Sequence, residues 1–147
     1  PPRSTLFPYT TLFRSVDTPR GLMVPTIYGA DKLSIQQISA AAKSLAAECQ
    51  KGTISPDLIR NGTFTVTNLG GLGVESFTPV INPPQTCILG VNTITTAVKD
   101  VGGKAVPYQS MALSLTFDHR ALDGAPAARF LKDVKETLEN FSLLLIE

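Results

Sequence analysis

The stretch "TTAVKDVGGKAVPYQS" (residues 95–110) carries a clear fold signal in the middle of the chain. Its segment "VGGK" (101–104) lies between two runs that contain β-branched residues, and paired glycines suit a tight two-residue turn. The stretch therefore predicts a β-hairpin, with one strand on each side of the glycines.

Further strands are predicted on both sides of this hairpin. "TCILGVNTI" (86–94) precedes it, and "MALSLTFDH" (111–119) follows it as a strand expected to be mostly buried. Earlier in the chain, "GTFTVTNLG" (62–70) alternates and is rich in Thr, Phe and Val. The intervening residues 70–85 hold three glycines and three prolines, which predicts a long loop.

Helices are predicted outside the strands. Ser34 and Gln37 have the spacing of a capping box, and Gly52 predicts the end of that helix. Its expected apolar stripe consists of Ile35, Ile38, Ala42, Leu45 and Cys49. The last helix is predicted after Asp123–Gly124, with Pro126 in its first turn. Its expected core face consists of Ala127, Phe130, Leu131, Val134, Leu138 and Phe141.

Two shorter features complete the prediction. Residues 16–27 are expected to form extended pieces around a turn at Pro19–Gly21, and Ser55–Ile59 a short helical turn. Strands in the middle with helices on both sides predict an α+β fold with a mixed or antiparallel sheet.

Composition limits the possible functions. The chain has 147 residues, 43% of them hydrophobic and 17% charged, which predicts one globular domain. A net charge of +1 and the lack of a long apolar run favour neither nucleic-acid nor membrane partners. Cys49 and Cys87 are expected to be buried thiols, and one histidine with two distant cysteines predicts no metal site.

The N-terminal stretch "RSTLFPYTTLFRS" (3–15) repeats Thr-Leu-Phe and has Arg-Ser at both ends. It resembles a translated sequencing adapter, so residues 1–15 are predicted to be a non-native segment and carry no predicted element. The alternative is a natural aromatic strand. Under the first interpretation, the natural sequence starts near Val16 as part of a longer protein cut upstream.

His119 is the only histidine, and it lies where an apolar strand is predicted to end. Imidazole exchanges protons near pH 7, and a strand end gives a side chain a fixed backbone beside a cleft. Asp123 could orient the ring, hold the turn or cap the helix. The spacing alone leaves open a second interpretation, an ordinary hydrogen-bonded histidine, which is more common.

Longer blocks of the sequence resemble a known family. "VDTPRGLMVPTIYGADKLSIQQIS" (16–39), "GTFTVTNLGGLGVESFTPVINPPQTCILGV" (62–91) and "FDHRALDGAPAARFL" (117–131) occur in its order. The chain resembles, over 16–142, the acyltransferase core subunits of 2-oxo acid dehydrogenase complexes. The dihydrolipoyl acetyltransferase branch is the most similar, and the chloramphenicol acetyltransferases are distant relatives.

The resemblance implies a chloramphenicol-acetyltransferase-like mixed sheet flanked by helices, with residues 16–147 as the C-terminal part of the catalytic domain. It implies homotrimers that pack into a larger hollow core, with each active site between two subunits. Coenzyme A and the dihydrolipoyl arm of a lipoyl domain enter that site from opposite sides. The implied reaction transfers an acyl group, expected to be acetyl, between these two thiols.

The same resemblance assigns roles to individual residues. His119 matches the general base, and Thr67 matches the hydroxyl that stabilises the oxyanion, a position where the family often has serine. Asp123, grouped with these two in the catalytic set, is expected to have a structural and orienting role rather than to transfer a proton. Asn68 and the glycine-rich loop 70–73 are expected to shape the channel, and Gly124 to allow a backbone turn.

Partners and location follow from the same comparison. The implied partners are the dehydrogenase and dihydrolipoamide dehydrogenase subunits of the complex and a lipoyl domain. No cofactor is expected to stay bound to this segment, since coenzyme A is a substrate and the lipoyl group belongs to an absent upstream domain. The expected location is the cytoplasm in a bacterium or the mitochondrial matrix in a eukaryote.

Two other functions compete with acyl transfer between thiols. The chain could be a non-catalytic scaffold subunit of such a complex, but a scaffold needs neither His119 nor Thr67. It could be a free-standing chloramphenicol-type acetyltransferase, against which the loop with "NPPQ" (82–85) argues.

Overall fold

A computed structural model describes residues 12–14, 16–18 and 21–142, with the backbone alone described for 12–14. It contains two α-helices, α1 (Ile35–Lys51) and α2 (Gly124–Glu139). The strands are β1 (Leu12–Arg14), β2 (Val16–Thr18), β3 (Gly21–Met23), β4 (Thr26–Ile27), β5 (Phe64–Asn68), β6 (Cys87–Val101) and β7 (Lys104–Phe117).

Five of these strands form one mixed sheet in the order β4-β1-β5-β6-β7. β5 pairs in parallel with β1 and with β6, whereas β1–β4 and β6–β7 are antiparallel. β2 and β3 form a separate antiparallel pair, which agrees with the extended pieces predicted there. The predicted α+β fold, with a mixed sheet and two flanking helices, is confirmed.

The central hairpin is confirmed, but its strands are longer than predicted. "TCILGVNTI" and "TTAVKD" belong to the single strand β6, and the two runs after the turn belong to β7. Gly102 and Gly103 have φ values of 61° and 80°, which a tight turn between twisted strands requires. The predicted boundary between Ile94 and Thr95 is absent, because both residues pair with β7. The register of this pairing is irregular only earlier, between Val91 and Ile94.

β1 lies within residues 1–15, for which no element was predicted. Leu12–Arg14 lies inside the sheet, antiparallel to β4 and parallel to β5. Three residues are too few to show a period of two, so pairing with two neighbours, rather than local pattern, makes this segment a strand. The rest of residues 1–15 lies outside the described residues, and the proposed origin of the segment stays a prediction.

α1 begins and ends as its sequence predicts. The Ser34 hydroxyl accepts from the Gln37 amide, the Gln37 side chain accepts from the Ser34 amide, and Gly52 closes the helix at φ 70°. Leu45 and Cys49 are buried, and Ile38 and Ala42 pack beside the core cluster of Ile27, Ala30 and Leu45. Ile35, the first residue of the predicted stripe, is 59% exposed and so does not belong to the core.

α2 covers the sheet less than predicted. Ala127 alone of its predicted core face is buried, while Phe130, Leu138 and Phe141 are exposed. Residues 111–119, predicted to be mostly buried, are exposed at both ends and half-buried between them. No further strand pairs with the outer edge of β7 among the described residues. A groove of about 780 Å³ separates Met111 and Leu113 of β7 from Leu131 and Leu138 of α2.

Candidate active site

His119 lies in the turn that joins β7 to α2, two residues beyond the end of the strand. Its side chain is 74% exposed, and its ring contacts the Phe117 ring at a centroid distance of 5.8 Å. The imidazole therefore has an apolar neighbour on the strand and an open path to solvent, so a substrate can reach it.

Asp118 organises the backbone around this histidine. Its amide donates to the Thr86 carbonyl (2.8 Å), and its own carbonyl accepts from the Ala121 and Leu122 amides (3.0 and 3.1 Å). Its carboxylate accepts from the Arg120 amide (2.9 Å) and from the guanidinium of Arg120 (2.7 Å to Nη2). These hydrogen bonds to Arg120 lower the pKa of Asp118 from 3.8 to about 2.

The sequence predicted no role for Asp118 or Arg120. The available signal was an acid and a base on either side of the only histidine, but such neighbours are common on protein surfaces. Their joint geometry appears only once the turn is folded.

Asp123 faces His119 rather than capping the helix. It is the N-cap residue of α2, yet its side chain makes no capping hydrogen bond. One carboxylate oxygen, Oδ1, lies 3.7 Å from Nδ1 of His119, which is beyond direct hydrogen bonding and within electrostatic reach. Of the three roles open in the sequence, this geometry favours orientation of the ring, with Nε2 as the nitrogen turned away from Asp123.

Gly124 does not have the predicted backbone role within this chain. It is the first residue of α2, its φ lies outside the left-handed region, and an added Cβ would meet no atom within 4 Å. The geometry of this turn therefore does not require glycine at position 124.

Thr67 lies near the end of β5 and is half-buried. It pairs with Gly90 on β6, and the next residue, Asn68, accepts a hydrogen bond from the Gly70 amide (2.9 Å). Gly70 packs so closely on β6 that an added Cβ would lie 2.5 Å from the Asn92 carbonyl oxygen. The glycine-rich loop is thus fixed against the sheet directly after Thr67.

The sheet around Thr67 contains a buried polar group that sequence analysis did not identify. Asn92 is 2% exposed, and its Nδ2 donates to the Ala112 carbonyl (2.9 Å) and the Ser114 hydroxyl (3.2 Å). Its Oδ1 is buried without a partner among the described residues. The Phe77 ring packs against Gly90, where an added Cβ would lie 2.8 Å from the ring.

The fold does not bring Thr67 and His119 of one chain together. Thr67 on β5 pairs with Gly90 on β6, and Gly90 pairs with Ser114 on β7. Ser114 is therefore two strands away from Thr67. β7 then runs three residues further before it ends at Phe117, so Thr67 and Phe117 are roughly 14 Å apart by standard strand dimensions. A base and an oxyanion donor that act on one carbonyl must each lie about 3 Å from the reacting atoms.

Other reactive groups offer no second centre in the described part of the chain. Cys49 and Cys87 are free and buried, as predicted, and burial raises the pKa of both thiols. Residues 12–14, 16–18 and 21–142 contain no cluster of His, Cys, Asp and Glu that could bind a metal ion. None of the helices described is long and apolar enough to span a bilayer.

Residues 7–146 match the family model of the 2-oxoacid dehydrogenases acyltransferase catalytic domain. The chain is 41% identical over 139 residues to a succinyltransferase component of the 2-oxoglutarate dehydrogenase complex of Arabidopsis thaliana. It is 44% identical over 138 residues to an acetyltransferase component of the pyruvate dehydrogenase complex of Acholeplasma laidlawii. These matches cover 95% and 94% of the chain but 30% and 25% of the relatives, so the chain spans a third or less of their length.

Solved structures give the same result. The dihydrolipoamide acetyltransferase of Azotobacter vinelandii matches with a TM-score of 0.88 and 36% identity, over 93% of this chain and 56% of that one. In that enzyme a serine, a histidine and an asparagine were investigated for their role in the catalytic mechanism. The cubic core of a pyruvate dehydrogenase multienzyme complex matches with the same TM-score, identity and coverage.

Proposed function

Because the chain belongs to the family of 2-oxoacid dehydrogenase acyltransferase catalytic domains, we propose that it transfers an acyl group between dihydrolipoyl and coenzyme A thiols. Residues 16–147 form the C-terminal part of the catalytic domain in this proposal; the family match begins at residue 7, which argues against a non-native origin for residues 7–15.

One observation carries the proposal: the spacing of three residues. In the Azotobacter vinelandii enzyme, the investigated serine lies 52 residues before the histidine, and the asparagine lies four residues after it. Thr67, His119 and Asp123 have the same spacing in this chain. Two of the three differ in type, but threonine keeps the hydroxyl and aspartate keeps an acceptor near Nδ1.

The chemistry requires a base and an oxyanion donor. Nε2 of His119 takes the proton from the incoming thiol as its sulfur attacks the thioester carbonyl. The hydroxyl of Thr67 donates to the oxyanion of the tetrahedral intermediate. As the intermediate collapses, the imidazolium returns the proton to the departing thiol. The carboxylate of Asp123 favours the tautomer with hydrogen on Nδ1, since it lies beside Nδ1.

The proposed site lies between two copies of the chain. Since Thr67 and His119 of one chain are too far apart, Thr67 of one copy acts with His119 of its neighbour. A homotrimer that builds a larger core supplies such contacts, and the match to a cubic core supports it. In this arrangement Asn68 lies next to Thr67 and Gly124 lies next to Asp123, so both border the substrate channel. A neighbouring copy then restricts the space around Gly124.

Acetyl is the proposed acyl group, and the partners are those of the complex. Relatives from Acholeplasma and Bacillus are acetyltransferase components, although the Arabidopsis relative is a succinyltransferase component. The proposed partners are the lipoyl domain, the dehydrogenase and dihydrolipoamide dehydrogenase. The complex resides in the bacterial cytoplasm or the mitochondrial matrix. Turnover with acetyl-, propionyl- and succinyl-coenzyme A distinguishes the acyl groups.

Mixed assemblies test the proposed function and its shared site together. Thr67→Val and His119→Ala each remove one group, so each variant of the intact subunit should be nearly inactive alone. After co-assembly in equal amounts, about one quarter of the contacts in any closed head-to-tail ring pair an intact Thr67 with an intact His119. Transfer from acetyl-coenzyme A to dihydrolipoamide should therefore recover to about one quarter.

A second mixture is the control. Wild type co-assembled with a chain carrying both substitutions should also give about one quarter if the site is shared between copies. A site within one chain instead gives no recovery in the first mixture and about one half in the second. Full activity of His119→Ala alone would overturn the proposed function.

A further inference from the structure

We propose that Asp118 is a positioning residue that sets the orientation of His119, acting through the backbone of the turn from β7 to α2. The inference rests on the proposed role of His119 as the base, and it adds a residue that the mechanism above does not use.

The backbone of Asp118 connects the end of the sheet to the turn. Its amide continues the pairing of β7 by donating to the Thr86 carbonyl, one residue before β6 begins. Its carbonyl receives the amides of Ala121 and Leu122, which closes a tight turn around His119. The residue immediately before the histidine is thus held from both directions.

The side chain of Asp118 fixes the residue on the other side of His119. Oδ1 accepts from the backbone amide of Arg120 at 2.9 Å, so the carboxylate spans the histidine. The guanidinium of Arg120 binds both carboxylate oxygens, at 3.0 and 3.2 Å from Nε and at 2.7 Å from Nη2. This fork prevents rotation of the carboxylate away from the amide.

Exposure shows why His119 needs this support. The side chain of Asp118 is 22% exposed, whereas those of His119, Arg120 and Asp123 are between 74% and 91% exposed. Within one chain, packing does not immobilise a ring so exposed, and Asp123 at 3.7 Å makes no direct hydrogen bond to it. The hydrogen bonds of Asp118 therefore constrain the His119 backbone within the chain, and through it the ring.

The test separates the hydrogen bond from the charge. Asp118→Ala removes both and should lower kcat of the intact subunit by about tenfold to 100-fold, because small displacements of a catalytic group are costly. KM for both thiols should change by less than about threefold, since no substrate contact is lost. Asp118→Asn keeps an acceptor for the Arg120 amide and should retain kcat within about threefold.

The chain offers a matched control at Asp100. Its carboxylate also accepts from a backbone amide in a turn, that of Gly103 at 3.0 Å, but at the far end of the β6–β7 hairpin. Asp100→Ala removes an equivalent hydrogen bond without touching the His119 turn. It should leave kcat and KM unchanged.

A direct readout uses the fact that His119 is the only histidine. Its imidazole gives one set of side-chain NMR signals in the 147-residue chain, which is measured with Leu138→Glu as the parent background because that change should reduce self-association. In Asp118→Ala, the order parameters of the His119 and Arg120 amides should fall from about 0.85 toward 0.6, and the ring signals should sharpen. Asp118→Asn and Asp100→Ala should leave these signals as in the parent.

The outcomes distinguish this inference from the proposed function. Normal kcat in folded Asp118→Ala, beside an inactive His119→Ala, overturns the positioning role and leaves the base in place. An active His119→Ala overturns the base, and with it any catalytic effect of Asp118. If Asp118→Ala does not fold, Asp118→Asn provides the test. A loss of kcat in Asp118→Asn as large as that in His119→Ala also overturns the inference. Such a loss would show that the charge of Asp118 matters more than the position it sets.

Discussion

The hydroxyl of Thr67 provides a sharp test of chemistry at a single residue. If it stabilises an oxyanion, its effect belongs to the transition state and not to substrate binding. Thr67→Ser should keep most activity, because the donor remains and one methyl group is lost. Thr67→Val keeps the shape and removes the donor, so kcat should fall by roughly 10²–10³-fold while KM for both thiols changes little.

Steady-state kinetics on the intact subunit distinguishes this role from a purely structural one. Valine suits a half-buried strand position such as the end of β5 at least as well as threonine does. A Thr67→Val variant as active as the parent would therefore show that Thr67 contributes packing alone, and would leave His119 without an oxyanion donor.

Asp118 provides a second residue-scale prediction, on pH. Its pKa of about 2 in the folded chain is below the value of 3.8 expected when unfolded. A lowered folded-state pKa contributes stability above about pH 4, and that contribution is lost as the pH falls through about 2. The carboxyl ¹³C signal of Asp118 should titrate near pH 2, and Arg120→Ala should move the midpoint upward. A midpoint near the ordinary value in the parent would contradict the ion pair.

At the scale of elements, the loop after β5 depends on a close contact with β6. Gly70 lies so near β6 that a Cβ would be 2.5 Å from the oxygen and 2.8 Å from the carbon of the Asn92 carbonyl. Gly70→Ala should lower the free energy of unfolding by about 1–3 kcal/mol, because backbone must move on one side or the other.

Urea denaturation measures this effect, and Gly71→Ala is the matched control. A Cβ at Gly71 would meet no atom within 4 Å, so that change should stay within about 0.5 kcal/mol of the parent. Equal stability of the two variants would show that the loop does not pack on β6. Since the loop follows Thr67 directly, Gly70→Ala should also lower kcat.

At the scale of the whole molecule, the apolar face of α2 is incompletely covered. Phe130 and Leu138 are 37% and 52% exposed beside the groove along β7, and the outer edge of β7 is unpaired among the described residues. Exposed apolar faces and free strand edges promote association. The chain alone should therefore self-associate or precipitate.

Size-exclusion chromatography with light scattering checks this expectation against the 15.7 kDa of one chain. Leu138→Glu places a charge in the groove and should reduce association. Ile35→Glu is the control, because Ile35 is similarly exposed, at 59%, but lies on α1 away from the groove. A soluble parent monomer that melts cooperatively would contradict the prediction.

The sequence by itself determined the local features: the capping box of α1, the glycine turn at 102–103, the α+β class and the family. Each depends on residues close in the chain, or on blocks long enough to be specific. It also identified the segment around His119, but not Asp118, whose role depends on hydrogen bonds that exist only in the folded turn.

Tertiary structure alone decided how these pieces meet. Pairing with β4 and β5 made Leu12–Arg14 a strand, and continuous pairing with β7 joined two predicted strands into β6. Register also separated Thr67 from His119 within one chain. The side-chain pattern of a strand encodes which of its residues face the core. The distances between residues on different strands follow instead from strand order and register, and contacts between distant segments of the chain determine both.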